Sequence, residues 1–205
     1  FIRAVRNPAS GYVQGFNDLV TPFLGVFMSE VCAGDMDTWD TAVLHSDALY
    51  QVEADCYWCL AKLLDGIQDH YTFAQRGIQM KVFKLGELVR RIDEQIHDHL
   101  ETEGVQFLQF AFRWFNCLLL REVPFPLVAR LWDTYIAEGD TFADFLVYAC
   151  ASFFITWADK LRGMEFQDMI IFLQKLPTEG WSNSQVEMVL SRAYMWRAMF
   201  ERAQS

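Results

Sequence analysis

Proline is scarce in this sequence, five in 205 residues, and alternating apolar and polar runs are missing, which argues against a sheet-built protein. Basic residues are also short, with 17 Lys and Arg against 27 Asp and Glu, a net charge of −10. A chain this acidic is a poor ligand for nucleic acid or for an anionic membrane surface. Cysteines number five, an odd count in a chain that can fill a core, so no disulfide framework is expected. The thiols read as reduced, in a cytosolic protein. The longest uncharged apolar stretch, 145–158, has 14 residues and is flanked by Asp144 and Asp159. A membrane span needs ~20. No signal peptide opens the chain, and it begins on Phe1 rather than Met, so a fragment or excised domain is expected. Nor is there a GxGxxG, GxxxxGK[ST], HExxH or GxSxG pattern, which removes nucleotide cradles and common hydrolase sites.

What remains is rich in core-forming residues. Apolar types make up 53% of the chain, with 18 Phe, 7 Trp and 7 Tyr among them. The periodicity is helical nearly throughout and predicts about eight helices in one all-α domain, 1–205, without a sheet, linker or repeat. The helices are expected over about Gly15–Val31, Leu49–Asp65, Ile78–Glu103 and Val105–Glu122, the last apolar around most of its circumference and therefore central. Pro126 predicts a first helical position for the next, which ends near Gly139. Thr141-x-x-Asp144 and Ser184-x-x-Glu187 resemble capping boxes opening two more, and a further helix spans 165–176 up to Pro177. Gly66 is expected to close its helix in the left-handed conformation, and Gly104 to close the one that follows. Charge is uneven: residues 30–70 hold nine acids against one base, Lys62, whereas 71–130 is nearly neutral. That acidic stretch reads as a solvated face or as an edge that steers a basic partner.

Three patterns could carry chemistry. Cys56-Tyr57-Trp58-Cys59 is a CxxC, the mark of a thiol oxidoreductase when it opens a helix. Here it falls mid-helix beside Trp58, Leu60 and Leu63, with no second pair for zinc, so core packing is the expectation. His97-Asp98-His99 lacks the i, i+3 or i+4 spacing that puts ligands on one helix face, so an exposed helix end is expected and no metal. Tyr12-Val13-Gln14-Gly15 sets a glutamine between glycines, Gly11 and Gly15, at the mouth of the first helix. Its amide both donates and accepts, which suits it to orienting a water against a phosphoryl group. An ordinary turn with an N-terminal cap is the alternative.

Tyr12-x-Gln14-Gly15 resembles the YxQG motif of TBC-domain proteins, the GTPase-activating proteins of Rab-type small GTPases. The likeness continues through Glu53-x-Asp55-x-Tyr57-Trp58-Cys59 and Leu63-Leu64-Asp65-Gly66. It resumes at Leu120-Arg121-Glu122-Val123-Pro124, Arg130-Leu131-Trp132-Asp133-Thr134-Tyr135 and Glu138-Gly139. The resemblance implies an all-helical domain that completes a GTPase active site in trans. Gln14 would then be the glutamine finger, with Tyr12 and Gly15 shaping its loop. Arg130, Trp132 and Asp133 are read as architecture: Trp132 packs, and Asp133 bonds a helix terminus or an arginine.

The family's second finger, an arginine in an IxxDxxR motif, normally lies a few tens of residues before YxQG. Arg3 and Arg6 are too close and lack the spacing, so the domain is expected to be N-terminally incomplete, with the arginine outside it. The resemblance further implies a partner in its GTP form, GTP and magnesium held by that partner, and no cofactor of the chain's own. It places the protein in the cytoplasm, recruited through partners to Golgi or other endomembranes. A helical module that binds a Rab or an adaptor without turnover is the alternative function.

Overall fold

The helical periodicity is realised as ten α-helices among the residues that the computed structural model describes, 15, 17–34, 36–71 and 75–202, and no strand occurs among them. In chain order they are α1 Thr21–Val31, α2 Ser46–Asp65, α3 Arg76–Ile92, α4 Glu94–Glu103 and α5 Leu108–Asn116. After a tight turn come α6 Phe125–Ala137, α7 Phe142–Ile155, α8 Ala158–Leu161, α9 Phe166–Gln174 and α10 Asn183–Arg202.

Two of the ten exceed the expected eight for identifiable reasons. The long helix expected over 78–103 is split by Asp93, whose backbone leaves the helical region (φ −151°, ψ 87°). The Asp93 side chain then accepts from Ile96 N–H at 3.1 Å, an N-cap that starts α4. The other addition is the single turn of α8.

The apolar stretch that fell short of a membrane span lies mostly in α7, the centre of the fold. Ten of its residues are buried, from Phe142 to Phe154. It packs against α3, α6 and α10, so the central role expected of the fourth helix belongs to α7. No helix of the described residues is long and apolar enough to cross a membrane. The fourth helix is instead the shorter α5, joined to α7 through rings: Phe110 to Trp114 at 5.1 Å between centroids, and Trp114 to Phe153 at 5.2 Å.

Helix ends follow local chemistry, not always the expected kind. Gly104 closes α4 at φ 74°, but Gly66 keeps right-handed angles (φ −76°) and passes the chain into another turn. Thr141 makes no side-chain cap; its hydroxyl donates back to the Glu138 carbonyl at 2.9 Å. The box opening α10 sits two residues earlier than expected, where Gln185 Oε1 accepts from Ser182 N–H at 2.8 Å.

Candidate functional site

Tyr12 and Gln14, with Arg3 and Arg6, lie outside the described residues. Gly15 is the first described residue, and the surroundings of this glycine define the site. Gly15 has φ +95°, a backbone that side-chain-bearing residues rarely adopt. It is buried, and a Cβ there would stand 2.7 Å from Asn116 Nδ2 and 3.5 Å from Cys117 Sγ. The Gly15 carbonyl accepts from Asp18 N–H at 3.1 Å, turning the chain into α1.

The floor under Gly15 is the turn that ends α5. A helix was expected to run on to Glu122, but Leu118 (φ 52°) and Leu119 (φ 60°) adopt left-handed backbone in succession. Such angles cost leucine roughly 1–2 kcal/mol each. They persist because the surroundings over-determine them. Both leucines are fully buried, Trp132 Nε1–H donates to the Leu118 carbonyl at 3.2 Å, and Leu119 N–H donates to Trp114 O at 2.9 Å. Tyr71 Oη–H donates to the Asn116 carbonyl at 2.7 Å, and Gln75 Nε2–H to Asn116 Oδ1 at 3.2 Å.

Two ion pairs anchor the same turn. Arg113 grips the buried Glu122 with two bonds, 2.6 and 2.8 Å, and its Nη2 also donates to the Gln174 carbonyl. Burial still pushes the Glu122 carboxyl above its ordinary value, against the pull of Arg113. Arg121 pairs with Asp18, directly after the glycine loop, and that hydrogen bond raises the guanidinium further. Trp132 also meets Phe23 of α1 edge-on at 5.7 Å. The residues quoted from three separate motifs, Gly15, Arg121–Glu122 and Trp132, therefore converge on one turn.

Arg130 and Asp133 do not share that turn. Arg130 ties α6 to α10, with Nε donating to Glu187 Oε1 at 2.6 Å, and bonds Thr134 Oγ1 within its own helix at 2.7 Å. Glu138 makes a second tie: Tyr194 Oη donates to it at 2.6 Å, Thr141 Oγ1 at 2.9 Å, and Arg197 pairs with it. Burial pushes this carboxyl up, but the three donors together hold it below its ordinary value. Asp133 departs from the expectation. It is exposed and bonds neither a helix terminus nor an arginine among the described residues.

The other two patterns settle as packing. Cys56 is buried and Cys59 half-buried in the middle of α2, both free, and burial pushes both thiols up, the reverse of what a redox thiolate needs. His97 and His99 are not at an exposed helix end but inside α4, where they diverge. His97 stacks on Phe107 at 6.2 Å, and His99 Nε2 lies 2.9 Å from the Met164 carbonyl. His97, Asp98 and Glu101 bring ligand atoms within 4.8 Å of one another, the one such group among the described residues, with both acids exposed.

Asn116, Tyr71, Gln75, Asp18 and Arg113 were not singled out from sequence. Arg113 carried a signal: a lone charge inside an apolar run needs a buried partner, and Glu122 is the acid within reach.

The motifs that carry the resemblance thus meet at one turn of an all-helical body, at Gly15, Arg121, Glu122 and Trp132. The chain belongs to the family they resemble: a profile described as the Rab-GTPase-TBC domain matches residues 1–161. GTPase-activating protein gyp1 of Schizosaccharomyces pombe is 52% identical over 206 residues, covering 99% of this chain and 40% of that protein. Human TBC1 domain family member 22A is 53% identical over 205 residues, with the same coverage of 99% and 40%. The chain thus spans about two fifths of the length of these relatives. Among solved structures, the Ypt/Rab-GAP domain of Gyp1p superposes with a TM-score of 0.92 at 46% identity, covering 96% of this chain and 63% of that one.

Proposed function

We propose that this chain accelerates GTP hydrolysis on a Rab-type small GTPase in its GTP form, with Gln14 as a glutamine finger offered in trans. The observation that carries the reading is the clamp on Gly15. The residue after Gln14 is locked at φ +95° against Asn116 and Cys117, so Gln14 is joined to a backbone position that is itself fixed. A finger is useful only if it arrives already oriented, because binding energy spent on ordering it is lost to catalysis. Relatives named as GTPase-activating proteins, and a solved Ypt/Rab-GAP domain of the same fold, support the same activity.

The glutamine amide accepts from the attacking water and donates toward the γ-phosphate, fixing the line of attack. GTP and magnesium belong to the partner, so the chain needs no cofactor. An arginine finger from outside residues 1–205 supplies the positive charge. The protein acts from the cytoplasm, recruited peripherally to Golgi or other endomembranes through its partners.

The test is single-turnover hydrolysis by a panel of GTP-loaded Rab-type GTPases, with the full-length protein that carries this chain. Gln14→Ala should lower the stimulated rate by about 10²-fold or more, the loss typical of one positioned transition-state donor. Unchanged stimulation would remove Gln14 from the mechanism. Binding of a GTPase without any acceleration by the unmodified protein would establish the alternative, a non-catalytic module.

A further inference from the structure

The most exposed large apolar side chains of the described residues are Tyr50 and Trp58, at 69% and 68%, and both stand on α2. The inward side of this helix is spoken for. Val52, Cys56, Leu63 and Leu64 are buried, and the helix packs against α1. At 100° per residue, Tyr50, Ala54, Tyr57, Trp58 and Ala61 project from the opposite side. The two alanines leave a shallow floor, and the aromatic rings rise around it. Trp58 is held upright against Tyr57, edge-on at 5.3 Å.

Carboxylates rim this patch. Asp47, Glu53, Asp55 and Asp65 surround it, and Lys62 is the one base on the helix. Asp55 accepts twice from Gln51, at 3.0 and 2.9 Å, which fixes its position. Glu53 is exposed and pairs with nothing among the described residues. The patch lies within 30–70, the stretch with nine acids and one base. An anionic surface would be repelled from such a face, whereas a guanidinium matches both parts of it. Arginine stacks on aromatic faces and takes carboxylates at its edge, and tryptophan is the best ring for the purpose.

We propose that the outer face of α2 docks a basic segment of a partner protein, stacking its arginines on Trp58 and Tyr50 between the surrounding carboxylates. Exposed aromatics of this kind are where interfaces concentrate their energy, while the acidic rim sets orientation and capture rate. The site is separate from the glycine clamp and does not depend on the GTPase reading.

A fluorescent oligo-arginine peptide serves as the probe, with oligo-lysine of equal length beside it, read by anisotropy at about 0.15 M salt. The chain should bind the arginine peptide more tightly than the lysine one. Tyr50→Ser with Trp58→Ser should weaken arginine-peptide binding at least ~10-fold, the size of a removed interface hot spot. That pair leaves the net charge untouched and touches no buried residue, and circular dichroism checks the helix. Glu94→Gln, Asp98→Asn and Glu101→Gln together remove three acids from the exposed face of α4 and should change binding less than ~2-fold. Equal binding by the Tyr50/Trp58 variant, or equal loss on neutralising α4, would overturn the proposal in favour of attraction by net charge alone. Concentration-dependent dimerisation of the unmodified chain that the Tyr50/Trp58 variant abolishes would also overturn it, since the occupant would then be a second copy.

Discussion

The turn under Gly15 and the outer face of α2 handle the same ingredients in opposite ways. In the turn, strained backbone is enclosed and every carboxylate is tied: Glu122 to Arg113, Asp18 to Arg121. On α2 the backbone is regular helix, the aromatics stand in water, and Glu53 is tied to nothing among the described residues. The difference separates a part built to hold still from a part built to be touched. Stored strain and desolvated charge are tolerable only where many contacts enforce one geometry. Exposed rings and loose charge cost the fold little, and they leave their binding capacity unspent.

The sharpest way to break the comparison is to cut the clamp. Arg113→Ala would leave Glu122 with 2% of its side chain exposed and without its bonded cation, Arg121 acting only from a distance. Removing one member of a buried pair costs about 3 kcal/mol or more. Because the orphaned carboxyl resists ionisation, the loss should grow as pH rises from 5 to 8, read by urea unfolding at several pH values. A loss below ~0.5 kcal/mol, the size expected of a surface change, would mean that the turn is not held by this pair.

His70 gives an effect of similar size with the opposite pH direction. It is fully buried beside Tyr71, and neither ring nitrogen makes a well-formed hydrogen bond among the described residues. Burial lowers its pKa to about 4, assisted by Lys81 and opposed by Asp69 and the Phe115 backbone. The unfolded chain takes up the proton near the ordinary 6.5, whereas the folded one resists it until about 4. Stability is therefore lost as pH falls through that window, by about 3 kcal/mol in all, and levels off below it. His70→Leu should flatten the window while leaving the carboxylate-driven loss at lower pH, to which Glu138 contributes. An unaltered slope in the variant would assign the window to other groups.

Gly15→Ala should cost less, about 1–3 kcal/mol, from unfavourable φ and the approach to Asn116. Asn116→Ala removes the colliding amide, so the double variant should recover part of the loss and leave the backbone strain. No recovery would show that conformation alone demands the glycine.

Most of the fold was legible because amphipathic periodicity reports which side of a helix is buried, and that information is local. What stayed hidden depended on contacts distant in sequence. Nothing near Leu118 and Leu119 announces left-handed backbone; it is imposed by Trp132, 14 residues on, and by the burial of both leucines. Asp93 could be seen as a cap only by knowing that α3 and α4 diverge there. Trp132 was correctly read as packing, yet its indole N–H has the more specific task of holding the Leu118 carbonyl. Asp133, grouped with it as architecture, turned out exposed, because neighbours in a motif point to different sides of a helix.

The smallest expected effect is the most discriminating for the open face. Glu53→Gln removes an exposed carboxylate that pairs with nothing among the described residues, so stability should change by less than ~0.5 kcal/mol. The sign should be toward stabilisation, because the surrounding stretch already carries nine acids against one base and self-repulsion falls when one is removed. That gain should be larger at low salt, where screening is weak, and should vanish as salt rises. Thermal unfolding at two ionic strengths reads both. A clear destabilisation that ignores salt would mean that Glu53 supports the fold through a contact. The acidic rim would then be structural, and the contrast between the clamped turn and the open helix face would lose its second half.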